Sequence, residues 1–297
     1  MELREQLQEL MSRQSLSQVH VARAIGKSAA VINQYLQGKY TGDVESVNEL
    51  IAGFIQRERE KAQSRKINFD FVPTKSARYG MELITYAHLE CDIGVLTGAA
   101  GVGKTMIMRE YADKHRDAIL IEADPGYTAR VLLEELCNRL GVSKRGNIHD
   151  LSDGCIQALR DSGRLLLIDE AELLPHRALE VLRRLHDKAG IGIVLAGMPR
   201  LLVNLRGKRG EFAQLYSRVG LSLPLGDALS RDDFNLLAVS MMPEAADVKI
   251  SDALFTSARG NARRLGKLLR GVNRTCEISN TPVSVAAVKK FAEMLIH

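Results

Sequence analysis

The chain has 297 residues, 45% of them hydrophobic and 26% charged, with a net charge of +5 at neutral pH; this composition is ordinary for a globular protein and the length suits two or three folding units. No apolar run reaches the roughly 18 residues of a membrane-spanning helix, and the first ten residues alternate Leu with Glu, Gln and Arg, unlike an export signal. A cytoplasmic protein with no membrane partner is expected, and Cys91, Cys137, Cys155 and Cys276 lie too far apart for a zinc or redox motif, so they read as reduced core thiols.

Residues 1–58 show apolar positions at three-to-four spacing interrupted by Gly26, Gly38 and Gly42, the pattern of a small all-helical domain. Within it, Ser17–Gly26 followed by Lys27–Leu36 resembles a helix-turn-helix of the phage-repressor type. Val19, Ile25, Val31, Ile32 and Leu36 are its expected core. Ser28, Ala29, Asn33 and Gln34 are candidates to face a DNA groove, and Lys27 and Lys39 to meet the backbone. A helical protein-interaction domain of the same shape remains an alternative.

Residues 59–75 open on an almost wholly polar stretch and read as a charged linker. From 76 to 225 apolar strand candidates at Ile93–Leu96, Ala118–Ile121, Leu165–Ile168 and Ile191–Leu195 alternate with helices, which predicts a parallel α/β sheet. The first strand runs into Gly98-Ala99-Ala100-Gly101-Val102-Gly103-Lys104-Thr105, and a helix is expected to open near Met106. This is the spacing of a phosphate-binding loop. Its glycines let backbone N–H groups curl around phosphates, Lys104 neutralises the β and γ phosphates, and Thr105 is a magnesium ligand. The third strand ends in Asp169-Glu170, one carboxylate to organise Mg2+ and one to polarise an attacking water. Spacing alone does not choose between ATP and GTP.

Residues 226–297 return to helical patterning, with candidates at 231–241, 252–258, 261–275 and 283–296, and read as a small helical lid. From Leu195 to His297 there are 15 Lys and Arg against 9 Asp and Glu, an excess that suits a polyanionic partner.

The two nucleotide motifs, the further strand and the helical lid resemble an AAA+ ATPase, which implies ATP and Mg2+ as cofactors. The resemblance makes Arg218, at the end of Phe212–Arg218, the candidate arginine that completes a neighbouring protomer's site. In Gly260-Asn261-Ala262-Arg263-Arg264 it makes Arg263, or else Arg264, the candidate γ-phosphate contact. One departure is Met198, which stands where the family usually places a polar, water-positioning residue; either a neighbour supplies that role or hydrolysis is slow.

With the repressor-like domain in front, and with Gly38–Asp43, Gly101–Thr105, Ile168–Ala171 and Phe212–Arg218, the chain resembles the transposition B proteins of the Mu type. That resemblance implies ATP-dependent assembly as a filament or ring on double-stranded DNA, largely independent of sequence, and delivery of that DNA to a transposase. It would place the protein in the host cytoplasm. DNA-contact candidates within the ATPase module are Lys144 and Arg145 in one loop and Arg206, Lys208 and Arg209 in another. A helicase loader or replication initiator, or an operator-binding transcription regulator, would share many of these features.

Overall fold

The computed structural model describes residues 3–63, 70–207 and 213–295. Two compact units are present, and the first is built by four helices: α1 (Leu3–Gln14), α2 (Gln18–Ile25), α3 (Ala29–Leu36) and α4 (Val44–Gln63). The turn between α2 and α3 is set locally. Ser17 caps α2 by accepting the His20 N–H, Gly26 ends it at φ +69°, and Ser28 caps α3 by accepting the Val31 N–H. Leu7, Val21, Ile32, Val47 and Ile51 are fully buried, with Ile25, Tyr35 and Phe54 nearly so. Val19 is 47% exposed and does not join this core. On α2 the inward face passes through Val21, Ala22 and Ile25, and Val19 falls outside that arc. The last helix continues to Gln63, five residues into the stretch read as a linker.

The second unit opens with α5 (Lys75–Leu89) and then alternates strand and helix: β1 (Ile93–Thr97), α6 (Lys104–Lys114), β2 (Ala118–Glu122), α7 (Ala129–Leu140), α8 (Ile148–Leu159), β3 (Leu165–Asp169), α9 (His176–Ala189), β4 (Gly192–Gly197), the short α10 (Arg200–Arg206) and α11 (Ala213–Tyr216), and β5 (Val219–Pro224). The five strands are all parallel in the order β2-β3-β4-β1-β5. Helices cover both faces, so the central strands are buried on both. Leu166 and Ile168 enter one core with Ile193 and Leu195, while Leu165 and Leu167 enter the other with Val194 and Ala196. That two-sided burial is why these strands read as continuous apolar runs.

The edge strand β5 was not among the strands expected from sequence. Its residues alternate half-buried and exposed, and Gly220 makes an irregularity beside Ile93 and Gly94, so neither a solid apolar run nor a clean pattern marks it. Four further helices, α12 (Arg231–Met241), α13 (Val248–Ala258), α14 (Ala262–Ser279) and α15 (Val285–Ala292), pack around Phe234, Leu254, Leu265, Leu268, Leu269 and Val272, all fully buried. This helical lid is bound to the sheet layer by Asp233. Buried on α12, it accepts the N–H groups of Lys75 at 2.8 Å and Ser76 at 3.1 Å and the Ser76 hydroxyl, and so satisfies the first turn of α5.

Among the described residues no helix is long and apolar enough to cross a membrane. Cys137 and Cys155 are fully buried with their sulfurs 3.5 Å apart, and burial, with its neighbour's sulfur, pushes the Cys155 thiol up to about 12. Both therefore behave as apolar core groups rather than reactive thiols.

Candidate nucleotide site

The loop 98–103 lies at the carboxyl end of β1, between its neighbours β4 and β5. Its entry is fixed by backbone hydrogen bonds on both sides: the Gly98 N–H donates to Gly197 O at 3.2 Å and the Ala99 N–H to Gly226 O at 3.0 Å. Gly101 and Gly103 take φ of +82° and +105°, values that only glycine adopts cheaply. The helix begins at Lys104 rather than near Met106, so the loop's last glycine is also the cap of α6. Lys104 is 8% exposed, and its ammonium donates to the carbonyls of Gly98 at 2.8 Å and Ala99 at 3.0 Å. Burial lowers its pKa, against the pull of Asp169, Glu170 and Glu172, which raise it.

From β3, one strand beyond β4, Asp169 reaches the same point. Its Oδ2 accepts the Thr105 hydroxyl at 2.6 Å and its Oδ1 accepts the Glu170 N–H at 2.9 Å. Thr105 and Asp169 thus present hard oxygen ligands side by side, a donor set that fits Mg2+. Glu170 follows at φ +53°, a left-handed conformation unusual for a residue with a Cβ. It turns the chain out of the sheet into the short helical turn 171–173. Burial pushes the Glu170 carboxyl above its usual range, with Glu172 and Asp169 adding to it and Lys104 opposing. A carboxylate so placed is a stronger base than a free one.

A cavity of about 350 Å³ joins these groups to the lid. Its lining includes residues 100–105, Glu170, Arg263 and Arg270, and the apolar side chains of Phe71, Val72, Leu229, Leu237 and Met241. Polar and apolar side chains thus share one pocket, which spacing in the sequence did not reveal because its apolar lining comes from residues 71–72, 229, 237 and 241. The two lid arginines separate here. Arg263 lines the cavity, whereas Arg264 is half-buried and donates to Ser257 O at 3.3 Å within the lid. Met198, immediately after β4, lines the same cavity. Glu172, absent from the sequence-based set, is buried 6% exposed behind the site, against Gly197 and 3.7 Å from Arg200; the only signal for it was its place two residues after Glu170.

Arg218 lies elsewhere. Val219 pairs with Ile93 and Pro224 with Thr97, so Arg218 sits at the amino end of the sheet, about 16 Å along the strands from its own phosphate loop. It is half-exposed and donates to Asp187 at 2.9 Å. Lys144 and Arg145 are exposed on the α7–α8 connection, which is held by Arg130 donating to Gly146 O and by the reciprocal cap of Asn147 and Asp150. Arg206 stacks over the Tyr216 ring at 4.4 Å and donates to its hydroxyl, while Lys208 and Arg209 lie outside the described residues. In the first unit Lys27, Asn33, Gln34 and Lys39 are exposed. Ser28 spends its oxygen on the α3 cap, and Asn33 accepts from Gln37 at 3.2 Å. The outward face of α3 is Ala30, Asn33, Gln34 and Gln37, small or polar and without acid.

Known proteins place this architecture. A model of the AAA domain matches residues 87–205. Among solved structures, the ORC2 protein of Aeropyrum pernix superposes with a TM-score of 0.56 at 16% identity, covering 78% of this chain and 71% of that one. RuvB of Thermotoga maritima gives 0.54 at 16%, covering 76% and 71%; at such identities the likeness is one of fold. Among sequences, the ATP-dependent target DNA activator B of Escherichia phage Mu is 30% identical over 226 residues, 73% of this chain and 71% of its own length. The Mu-like prophage FluMu DNA transposition protein B of Haemophilus influenzae is 29% identical over 227 residues, 74% and 78% of the two chains. Identity at that level over that span, on an AAA fold with residues 100–105 and Glu170 at one cavity and Asp169 bonded to Thr105, makes the chain a member of the Mu-type family of ATP-dependent target DNA activators B.

Proposed function

We propose that the protein is an ATPase that uses ATP binding to assemble on double-stranded DNA with little sequence preference, and presents that DNA to a transposase while stimulating it. The observation that carries the reading is one cavity lined by residues 100–105, Glu170 and Arg263, with Asp169 bonded to the Thr105 hydroxyl. In this reading the Gly101, Val102 and Gly103 amides and Lys104 bind the phosphates, and Met106 helps to line the cavity. Thr105 and Asp169 would hold Mg2+, which would neutralise phosphate charge when bound. Glu170 orients water and accepts its proton, and Arg263 contacts the γ phosphate from the lid. Met198 offers that water no strong hydrogen bond, so hydrolysis is slow and the ATP state long-lived.

The position of Arg218 supports an assembly. Its guanidinium cannot span the sheet to its own loop, yet a head-to-tail stack of protomers brings the amino end of one sheet toward the site of the next. One nucleotide then links two protomers, so that self-association and DNA affinity rise together. The DNA contacts assigned to this assembly are Lys144 and Arg145, Arg206, Lys208 and Arg209, with Lys27, Ser28, Asn33 and Gln34 in the helix-turn-helix; Ser28 contributes as the cap that presents α3. The sheet-and-lid layout, common to AAA proteins with other partners, makes a helicase-loading role the reading to exclude. Strand transfer into a plasmid target by a Mu-type transposase tests it directly. Addition of the protein with ATP should stimulate the reaction, and Lys104→Ala should not; a protein that leaves strand transfer unchanged but retains a helicase in pull-downs contradicts it.

A further inference from the structure

Four consecutive carbonyls of the phosphate loop are each held by a donor. Gly98 O and Ala99 O accept from the Lys104 ammonium. Ala100 O accepts from Asn261 Nδ2 at 2.6 Å, and Gly101 O from the Ala262 N–H at 2.9 Å. In a trans peptide the N–H points opposite to the C=O. Holding the Ala100 carbonyl toward the lid therefore turns the Gly101 N–H away from it, and holding the Gly101 carbonyl does the same for Val102. The N–H groups of Gly101, Val102 and Gly103 have no hydrogen-bond partner among the described residues.

Asn261 uses both ends of its amide. While Nδ2 holds the loop, Oδ1 accepts the Arg264 N–H at 3.0 Å and caps α14, the helix that carries Arg263. The fit requires glycine opposite: a Cβ on Gly101 would lie 2.4 Å from Oδ1 and 2.7 Å from Nδ2. The close approach of a lid side chain is thus a second reason, besides its φ, for the glycine at 101.

We infer that Asn261 is a positioning residue that preorganises the phosphate cradle from the lid, aiming loop amides inward without touching the nucleotide, and that it ties nucleotide affinity to lid placement. The inference rests on the nucleotide reading above. It concerns groups around the inner phosphates, so ATP and ADP should depend on Asn261 equally, unlike a γ-phosphate contact, which favours ATP alone.

The test is titration of the full-length chain with fluorescent ATP and ADP analogues, together with steady-state hydrolysis, for wild type, Asn261→Ser and Asn261→Asp. Serine keeps a capping oxygen but is too short to reach Ala100; aspartate keeps length and cap but has no proton to donate. Both variants should melt with the wild type. Both should bind ATP and ADP about five- to tenfold more weakly, the worth of one hydrogen bond, with KM raised by the same factor and kcat retained, because bound phosphate itself orders the loop. Wild-type affinity in both variants, or a loss confined to ATP, overturns the inference while leaving the nucleotide reading intact. A wild-type chain that binds neither nucleotide overturns both.

Discussion

Replacing Asp233 with Asn should unlock the lid from the sheet layer in a pH-dependent way. The Asp233 residue is 2% exposed, and its carboxylate accepts from the Lys75 and Ser76 N–H groups and the Ser76 hydroxyl. Burial alone would raise its pKa, but the bonds from Ser76, Lys75 and Ser230 outweigh it and hold the group below its usual range. Bonds to a charged acceptor are worth about 1.5–3 kcal/mol each. An amide keeps one acceptor oxygen and loses the charge at the α5 N-terminus, so a net cost of about 2–4 kcal/mol is expected. For a unit of this size that lowers Tm by on the order of 5–15 °C. Because the folded-state pKa is depressed, the wild-type advantage is fully present above the unfolded value of about 3.9 and is lost as pH falls through the folded value. Calorimetry of Asp233→Asn against wild type from neutral pH down to about pH 3 reads this out. The gap in Tm should close on the acid side; equal melting at neutral pH, or a gap that persists unchanged into acid, refutes the reasoning.

Three further outcomes follow from the site. Arg218→Ala and Glu170→Gln chains should each hydrolyse ATP poorly alone, and mixed in equal amounts with DNA they should recover on the order of a quarter of wild-type activity, the share of head-to-tail interfaces with both groups intact; no recovery places Arg218 outside the site. Met198→Asn, which adds a polar group to the cavity that Glu170 also lines, should raise the single-turnover hydrolysis rate about tenfold, and an unchanged rate would remove Met198 as the cause of slow hydrolysis. Lys144→Ala with Arg145→Ala should weaken DNA binding and reduce the salt slope by about two while leaving ATP affinity intact; an unaltered slope excludes that loop.

The central strands and the phosphate loop were legible because a parallel strand covered on both faces must be apolar at every position, and because close approach to phosphate demands glycine at fixed spacing. The position of Asp169 at the end of β3, with Glu170 after it, followed from the same apolar run. The edge strand β5 was not, since Gly220 and Ser222 break the apolar run and only alternate residues are shielded. The misplacement of Val19 reflects a short helix, where eight residues give the periodicity little to average over. Contacts between elements remote in sequence left no local signal. The Asn261 amide against Ala100, the Asp233 carboxylate under α5 and the apolar slot of Phe71, Leu229 and Met241 arise only once the lid folds onto the sheet layer. The lid resemblance put Arg263 before Arg264, and it is Arg263 that lines the cavity; spacing alone does not separate them, because adjacent helical residues point about 100° apart.

The central claim, that nucleotide in this cavity governs assembly on DNA, is tested most directly by electron microscopy of the full-length protein with duplex DNA of unrelated sequences. Wild type with ATP should coat every duplex, while wild type with ADP and Lys104→Ala with ATP should leave the DNA bare. Coating that is independent of nucleotide, or confined to one sequence, would contradict the account.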